Sequence, residues 1–115
     1  MSAISIRKAI EDDVPSIMAL VRELAEFEKA PNEVSNTEEK MLEEGFGDNP
    51  DYECIVAEKE EKIVGISLYY YRYSTWKGRR LYLEDIVVSQ SERGKGAGKL
   101  LFDKTIEIAK TEKCR

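Results

Sequence analysis

The chain has 115 residues, 42% of them hydrophobic and 36% charged, so we expect one globular domain over residues 1–115. Its net charge of −5 argues against a general nucleic-acid-binding protein, because such proteins need a basic surface to displace counterions from phosphates. The absence of histidine excludes a Ser-His or Cys-His nucleophile, and we expect no metal site. No apolar run reaches the roughly 20 residues of a membrane helix, and no signal-peptide segment is present, so we expect a cytoplasmic protein with no membrane partner.

In chain order, the hydrophobic periodicity and the turn residues predict a strand, two helices, three strands and a final helix. The expected bounds, in that order, are residues 4–8, 13–30, 35–44, 53–58, 63–73, 81–88 and 96–113. The order β-α-α-β-β-β-α indicates an α/β fold, with helices packed on one mixed sheet.

Individual residues support these bounds. Asp12 or Asp13 is expected to cap the first helix, and Ser35 with Glu38 forms a predicted capping box for the second. Cys54 lies in an apolar run and is expected to be a buried thiol. Apolar residues at helical spacing predict the buried faces of the first and last helices: Ile17, Leu20, Val21, Leu24 and Phe27, and Leu100, Leu101, Ile108 and Ala109.

The most informative segment joins the last strand to the last helix. Glu84 and Asp85 lie on the predicted strand, and Gly94, Gly96 and Gly98 lie in the loop that opens into the helix. Unpaired N–H groups at a helix N-terminus attract anions, so the segment is predicted to bind a phosphate beside two candidate proton acceptors. The glycine spacing matches neither the P-loop nor the dinucleotide fingerprint. A flexible turn is the alternative interpretation of the glycines.

The loop Arg93-Gly94-Lys95-Gly96-Ala97-Gly98 resembles the R/Q-x-x-G-x-G/A loop with which GNAT acetyltransferases hold the pyrophosphate of coenzyme A. Four further segments resemble the diamine acetyltransferases, the group of the spermidine/spermine N-acetyltransferases: residues 22–28, 45–50, 69–79 and 82–85. The resemblance covers essentially the whole chain. It implies the N-terminal two-thirds of the GNAT fold, with the C-terminal part of the domain absent.

One position favours a particular branch of this group. The polyamine-specific branch usually carries Asp-Pro before the loop tryptophan, whereas Ser74 and Thr75 precede Trp76 here, as in the thialysine Nε-acetyltransferase branch. The difference removes an acid that is suited to the second ammonium of a polyamine. By resemblance, it favours a lysine-like acceptor.

The resemblance also implies residue roles. Glu84 is the expected general base, acting through a water, while the alternation of strand side chains predicts that Asp85 points to the opposite face. The expected acetyl-CoA contacts are the backbone of Ile86, Val87 and Val88, with Arg93, Gly94, Lys95, Gly96, Ala97 and Gly98. The expected acceptor contacts are Glu28, Ser74, Thr75 and Trp76, with Glu84 and Asp85. The family's general acid lies in the absent C-terminal region, so no residue is assigned to that role.

The expected function is acetyl transfer from acetyl-CoA to the primary amine of a small cationic acceptor such as thialysine or lysine, in a ternary complex and without a metal. A primary amine with a pKa of about 10.4 is mostly protonated at pH 7, so the site needs a base. Two alternatives stay open: a polyamine acetyltransferase, and an acyl-CoA-binding regulatory domain without turnover. By resemblance, we expect a homodimer with acceptor pockets near the subunit interface.

Overall fold

The computed structural model describes residues 3–112, which form a four-stranded antiparallel sheet in the order β1-β2-β3-β4 with helices on both faces. The strands are β1 (Ser5–Lys8), β2 (Glu53–Lys59), β3 (Lys62–Ser74) and β4 (Gly78–Val88). The α-helices are α1 (Val14–Phe27), α2 (Glu38–Phe46) and α3 (Ala97–Thr111), and short 3₁₀ turns cover Glu11–Asp13, Pro31–Glu33 and Gln90–Glu92. The predicted α/β class and element order are confirmed. No helix among residues 3–112 is long and apolar enough to cross a membrane.

Two hydrophobic clusters hold the layers together, one on each face of the sheet. On the α1 face, Ile17 and Met18 pack with the sheet residues Val56, Ile66 and Val87. On the α3 face, the buried residues of α3 and of the sheet are Ala97, Leu101, Ile55, Ala57, Val64 and Tyr69. The sheet is therefore covered on both sides, as the apolar spacing of its helices predicts.

Close contacts seat α3 on the sheet. A Cβ added at Gly65 would lie 3.0 Å from Leu101 Cδ1 and 3.2 Å from the carbonyl oxygen of Val87, so a larger residue there would make these neighbours shift by a few tenths of an ångström. Beside it, Ser67 Oγ and Thr105 Oγ1 are 2.7 Å apart, and both residues are buried. Thr105 Oγ1 also donates to the Leu101 carbonyl at 2.7 Å.

Several helix-end predictions were wrong. Thr37, not Ser35, caps α2, since its Oγ1 accepts the N–H of Lys40 at 3.1 Å. The carboxylate of Asp13 does not cap α1. It accepts the N–H of Ile10 and pairs with the guanidinium of Arg7 at 2.8 Å.

Two predicted core residues are exposed. Phe27 is 65% exposed because it is the last residue of α1 and its ring lies under the guanidinium of Arg93, 4.9 Å away, rather than on the sheet. Leu100 is 42% exposed, because the buried residues of α3 recur every four positions from Ala97 through Leu101 to Thr105. Consecutive residues of a helix are rotated by about 100° around its axis, and this rotation makes Leu101 buried and Leu100 exposed.

β3 and β4 form a hairpin longer than predicted. β3 continues to Ser74 and β4 begins at Gly78, which leaves a turn of residues 75–77. Ser74 Oγ accepts the N–H groups of Trp76 and Lys77 at 3.2 and 3.1 Å, so the side chain of Ser74 stabilises the turn itself.

Candidate active site

A β-bulge sets the direction of the two acids on β4. Leu68 lies opposite Asp85 and Tyr69 lies opposite Leu83, so Glu84 is an extra residue in β4. Leu83 and Ile86 consequently pack on the same α3 face. Neighbouring side chains on a strand point to opposite faces. Glu84 is next to Leu83 and Asp85 is next to Ile86, so both acids point to the α1 face. The prediction that these acids point to opposite faces is therefore wrong, because it assumed an unbroken alternation.

Near this bulge, two other carboxylates lie close enough to Asp85 to affect its ionisation. Partial burial raises the pKa of Asp85 above its ordinary value, and the negative charges of Glu84 and then Glu28 raise it further. Glu28 directly follows the last residue of α1, and α1 packs against β4. We call Glu28, Glu84 and Asp85 the acidic cluster. Its members concentrate negative charge, which favours a bound ammonium, and Glu84 is exposed to solvent, so a water can reach it.

Beside the acidic cluster, the outer edge of β4 offers backbone donors. The N–H of Ser89 donates to the Val64 carbonyl at 2.8 Å, which shows that the peptide groups of Ser89 face β3. In an antiparallel pair these groups alternate, so those of Val87 also face β3 while those of Ile86 and Val88 face outward. The Val88 carbonyl accordingly accepts from Arg93 Nε at 3.3 Å. Of the three predicted backbone contacts, Ile86 and Val88 thus present N–H groups at the edge, and Val87 is a buried packing residue.

The glycine loop opens directly into α3. Gly94 and Gly96 have φ angles of 80° and 97°, which L side chains rarely adopt, and Gly96 is the residue before the first turn of the helix. A Cβ added at Gly94 or at Gly96 would have no atom of any residue beyond its chain neighbours within 4 Å, so the space beside both glycines is open. The first turn carries no acid, and Ala97 is buried, which anchors the helix end on the sheet. The N–H groups of a first helical turn have no partner within the helix, and they lie next in sequence to the open space at Gly94 and Gly96. This geometry fits a bound pyrophosphate.

The remaining predicted loop residues surround this space. Gly98 lies in the first turn of α3, and a Cβ there would meet the side chain of Val88 at 3.7 Å. Lys95 is exposed, with its ammonium 3.9 Å from the carboxylate of Glu92. Arg93 is exposed as well, and its Nε bond to Val88 leaves four further N–H donors on the guanidinium.

Two contacts that were not predicted from the sequence join α1 to the glycine loop. Glu23 Oε1 accepts the N–H of Gln90 at 2.6 Å, and the ring of Phe27 lies under the guanidinium of Arg93. An apolar residue at the last position of a helix is a weak signal, and an acid such as Glu23 carries none. Both contacts place the end of α1, which Glu28 follows, beside the glycine loop.

Three predicted acceptor residues lie elsewhere in the chain. Ser74, Thr75 and Trp76 are at the tip of the β3–β4 hairpin, and Trp76 is 93% exposed. Glu84 is six positions after Gly78 on β4, which corresponds to about 20 Å at roughly 3.3 Å per residue. A single copy of the chain therefore brings Glu28, Glu84 and Asp85 together but does not bring the hairpin tip to them. Across residues 3–112, no set of three or more His, Cys, Asp or Glu side chains is arranged to hold a metal ion.

Comparison with known sequences identifies a protein family and similar proteins within it. The model of the Acetyltransferase (GNAT) family matches residues 17–115. A thialysine N-epsilon-acetyltransferase of Bos taurus is 43% identical over 122 aligned positions, which cover 99% of this chain and 72% of that protein. The human spermidine/spermine N(1)-acetyltransferase-like protein 1 is 36% identical over 121 positions, which cover 99% of this chain and 17% of that protein.

Solved structures resemble the chain in fold. An aminoglycoside acetyltransferase from an uncultured soil sample, crystallised with sisomicin, superposes with a TM-score of 0.78 at 21% identity, over 97% of this chain and 73% of its own. At this level of identity the likeness concerns the fold alone.

Proposed function

The chain belongs to the GNAT family of acetyltransferases, as its motifs predicted, and on this premise we propose that it transfers the acetyl group of acetyl-CoA to the primary amine of a small, lysine-like acceptor. One observation carries the proposal: the acidic cluster lies beside the outward N–H groups of Ile86 and Val88, on the strand that leads into the glycine loop. The acidic cluster is complementary to the ammonium of the acceptor, the outward N–H groups are complementary to the amide chain of coenzyme A, and the glycine loop is complementary to its pyrophosphate.

The chain's own residues fit coenzyme A in two places. The N–H groups of Gly94 to Gly98, together with Arg93, would bind the pyrophosphate, and Lys95 adds positive charge. The outward N–H groups of Ile86 and Val88 would bind the amide chain and the acetyl oxygen. When bound, the thioester of acetyl-CoA supplies an activated acetyl group.

The acidic cluster would deprotonate and hold the amine. Glu84 would accept a proton of the ammonium through a water, which leaves the nitrogen lone pair free to bond to the thioester carbon. The C–S bond would then break, and coenzyme A would leave as a thiolate that is protonated from solvent as the acetylated nitrogen loses its second proton. Glu28 and Asp85 hold the acceptor in place by their negative charge. As negative charge develops on the acetyl oxygen, a preorganised N–H donor on β4 stabilises it.

A direct assay tests this function. Consumption of acetyl-CoA would be followed with thialysine, lysine and spermidine, using the full-length protein. We expect Glu84→Gln to lower kcat by about 100-fold while leaving the affinity for coenzyme A unchanged. Glu39→Gln, which removes an equal charge from the exposed side of α2, is the control. Unchanged turnover in Glu84→Gln would rule out the base, and tight coenzyme A binding without turnover on any amine would favour the regulatory domain.

Spermidine is the second candidate acceptor. Three carboxylates are enough for more than one ammonium group, and the human relative is named for spermidine and spermine. A higher kcat/KM for spermidine than for thialysine would replace the lysine-like acceptor with a polyamine.

Assembly as a homodimer is a further part of the proposal. Tyr73 and Trp76 are 79% and 93% exposed at the hairpin tip, and such aromatic residues commonly become buried at interfaces. A second copy would bring the tip to the acidic cluster that its own chain leaves distant. Sedimentation velocity measures the oligomeric state, and Trp76, the only tryptophan, reports its burial by a blue-shifted emission. A monomer with fully exposed Trp76 would contradict this part.

We also propose a cytoplasmic location. The buried thiol of Cys54 is free, and a reducing compartment keeps such thiols reduced. Localisation of the tagged full-length protein in cells tests this, and an extracytoplasmic signal would contradict it.

A further inference from the structure

Two arginines lie directly opposite each other in the β3–β4 hairpin. The register pairs Arg72 of β3 with Arg80 of β4, and like charges at paired positions destabilise a hairpin. Residues 69–82 contain four cations and no acid, although the whole chain has a net charge of −5. One of the four, Arg79, forms an ion pair with Glu112 on the α3 face, so the charge considered below is that of Arg72 and Arg80. Such a concentration of positive charge favours an anionic ligand.

Both arginines lie on the same face of the sheet as the acidic cluster. The guanidinium of Arg72 lies over the ring of Tyr82, 5.2 Å from its centroid, and Tyr82 contacts Tyr70 with ring centroids 5.1 Å apart. The neighbouring residues Leu81 and Leu83 pack on the α3 face, so Arg80 and Tyr82 are on the α1 face. Along this face, two cations, an aromatic surface and three acids follow one another. At the cationic end, a groove of about 570 Å³ is lined by residues that include Arg72, Ser74, Arg80 and Tyr82.

The dimensions of this face suit a lysine-like amino acid. Glu84 is four positions after Arg80, so their backbones are about 13 Å apart along the strand. In an extended lysine-like molecule the distal nitrogen and the carboxyl carbon are about 7 Å apart. With a hydrogen bond of about 3 Å at each end, such a molecule spans a length similar to the backbone separation of Arg80 and Glu84, and the long side chains of both residues can lean along the strand to meet its ends. The aromatic rings of Tyr70 and Tyr82 would lie beside its apolar chain.

From this arrangement we infer that Arg72 and Arg80 bind the α-carboxylate of an amino-acid acceptor whose distal amine lies at the acidic cluster. The inference rests on the proposed acetyl transfer and adds the residues that select the acceptor. Two guanidinium groups bind a carboxylate well, because planar N–H pairs match its oxygens. The same groups repel the far ammonium of a diamine. The charge at the far end of the acceptor therefore decides between amino acids and polyamines.

A pair of acceptors that differ only in the carboxylate tests the inference. Thialysine and bis(2-aminoethyl) sulfide share the same chain and the same reacting amine, but only thialysine has the carboxylate. With the full-length protein, we expect Arg72→Gln and Arg80→Gln each to lower kcat/KM for thialysine by about tenfold. For the sulfide diamine, kcat/KM should stay the same or rise, because a repulsive charge is removed.

Arg79→Gln is the matched control. It removes the same charge from the adjacent residue, but Arg79 lies on the α3 face, 4.1 Å from the ring of Tyr71 and 3.3 Å from Glu112. This variant should change neither kcat/KM by more than about twofold. Thermal unfolding of all three variants shows whether any loss comes from unfolding.

Two results would overturn the inference: an equal loss for both acceptors in the Arg72 and Arg80 variants, or no loss for thialysine. Calorimetric binding of the two compounds to the coenzyme-A-loaded protein gives the same comparison without turnover. A preference for thialysine that disappears only in the Arg72 and Arg80 variants supports the carboxylate site even if no acetyl transfer occurs. Absence of transfer in the native protein would instead contradict the proposed function, so the two failures are distinct.

Discussion

Replacing Thr105 by valine tests how firmly α3 is seated on the sheet. Thr105 is 3% exposed, and its hydroxyl donates its one proton to the Leu101 carbonyl. The 2.7 Å contact with Ser67 must therefore be a bond in which Ser67 donates to Thr105 Oγ1. Valine has nearly the same shape but no acceptor, so Thr105→Val leaves the buried hydroxyl of Ser67 without a partner.

The magnitude follows from these two bonds. A buried hydroxyl left without a partner costs about 1–3 kcal/mol. The extra methyl group of valine returns up to about 0.8 kcal/mol through burial of apolar surface. We therefore expect Thr105→Val to lower the free energy of unfolding by about 1–2 kcal/mol and the Tm by about 5–10 °C. Ser67→Ala should cost about 1 kcal/mol, since it removes the donor and leaves the bond from Thr105 to Leu101 intact.

Urea unfolding followed by far-UV circular dichroism of the two single variants and the double variant completes the cycle. The double variant should be about 1 kcal/mol more stable than the sum of the single effects predicts, because neither hydroxyl then lacks a partner. Effects that add within about 0.3 kcal/mol would refute the reasoning, since they would mean that the two hydroxyls do not interact. Thr105→Ser, which retains the hydroxyl, is the control for the hydrogen bond.

Three further predictions concern single residues. Gly96→Ala should lower the free energy of unfolding by about 1–2 kcal/mol because of its φ of 97°, whereas Gly98→Ala, inside α3, should raise it by up to about 1 kcal/mol; equal effects in urea unfolding would contradict this. The raised pKa of Asp85 means that the fold disfavours its ionised form. Asp85→Asn should therefore raise the free energy of unfolding at pH 7 and lose that advantage at pH 3, where the carboxyl is protonated in both the folded and the unfolded state. A difference in the free energy of unfolding that is independent of pH would be evidence against this prediction. The hydrogen bond from Arg7 lowers the pKa of Asp13, so its ionised carboxylate stabilises the fold above the unfolded-state pKa, and this contribution disappears as the pH falls. Asp13→Asn should therefore lower the free energy of unfolding at pH 7 and have the same free energy of unfolding as the native protein in acid. A difference in the free energy of unfolding that persists in acid would contradict the assignment.

Hydrophobic periodicity was enough to predict the elements of this fold, because the spacing of residues such as Ile17 and Leu101 is a local property of the chain. The same periodicity misassigned Leu100, since neighbouring leucines differ only in helical phase. Residues at helix ends were harder, because Thr37 and Ser35 have similar chemistry and only the backbone path decides which one caps α2.

The candidate site was predictable where it depends on short segments. The glycine loop and the acids of β4 are readable from consecutive residues. The bulge at Glu84 was not, because it depends on how β4 pairs with β3, and no local pattern specifies that register. The pairing of Arg72 with Arg80 and the contact of Glu23 with Gln90 are likewise properties of the assembled fold.

The bulge also affects how the chain resists aggregation. An unpaired strand edge is a template on which other chains can add strands. In the part of the chain that the structure describes, the outer edge of β4 is open, but Glu84 divides it into residues 78–83 and residues 86–88. A foreign strand would lose its register on crossing Glu84, and the charges of Arg79 and Arg80 oppose pairing with the longer portion. The short portion, residues 86–88, is still long enough to form hydrogen bonds with the amide groups of a small extended molecule. The bulge therefore allows a small ligand to bind at this edge while it opposes the addition of a whole strand.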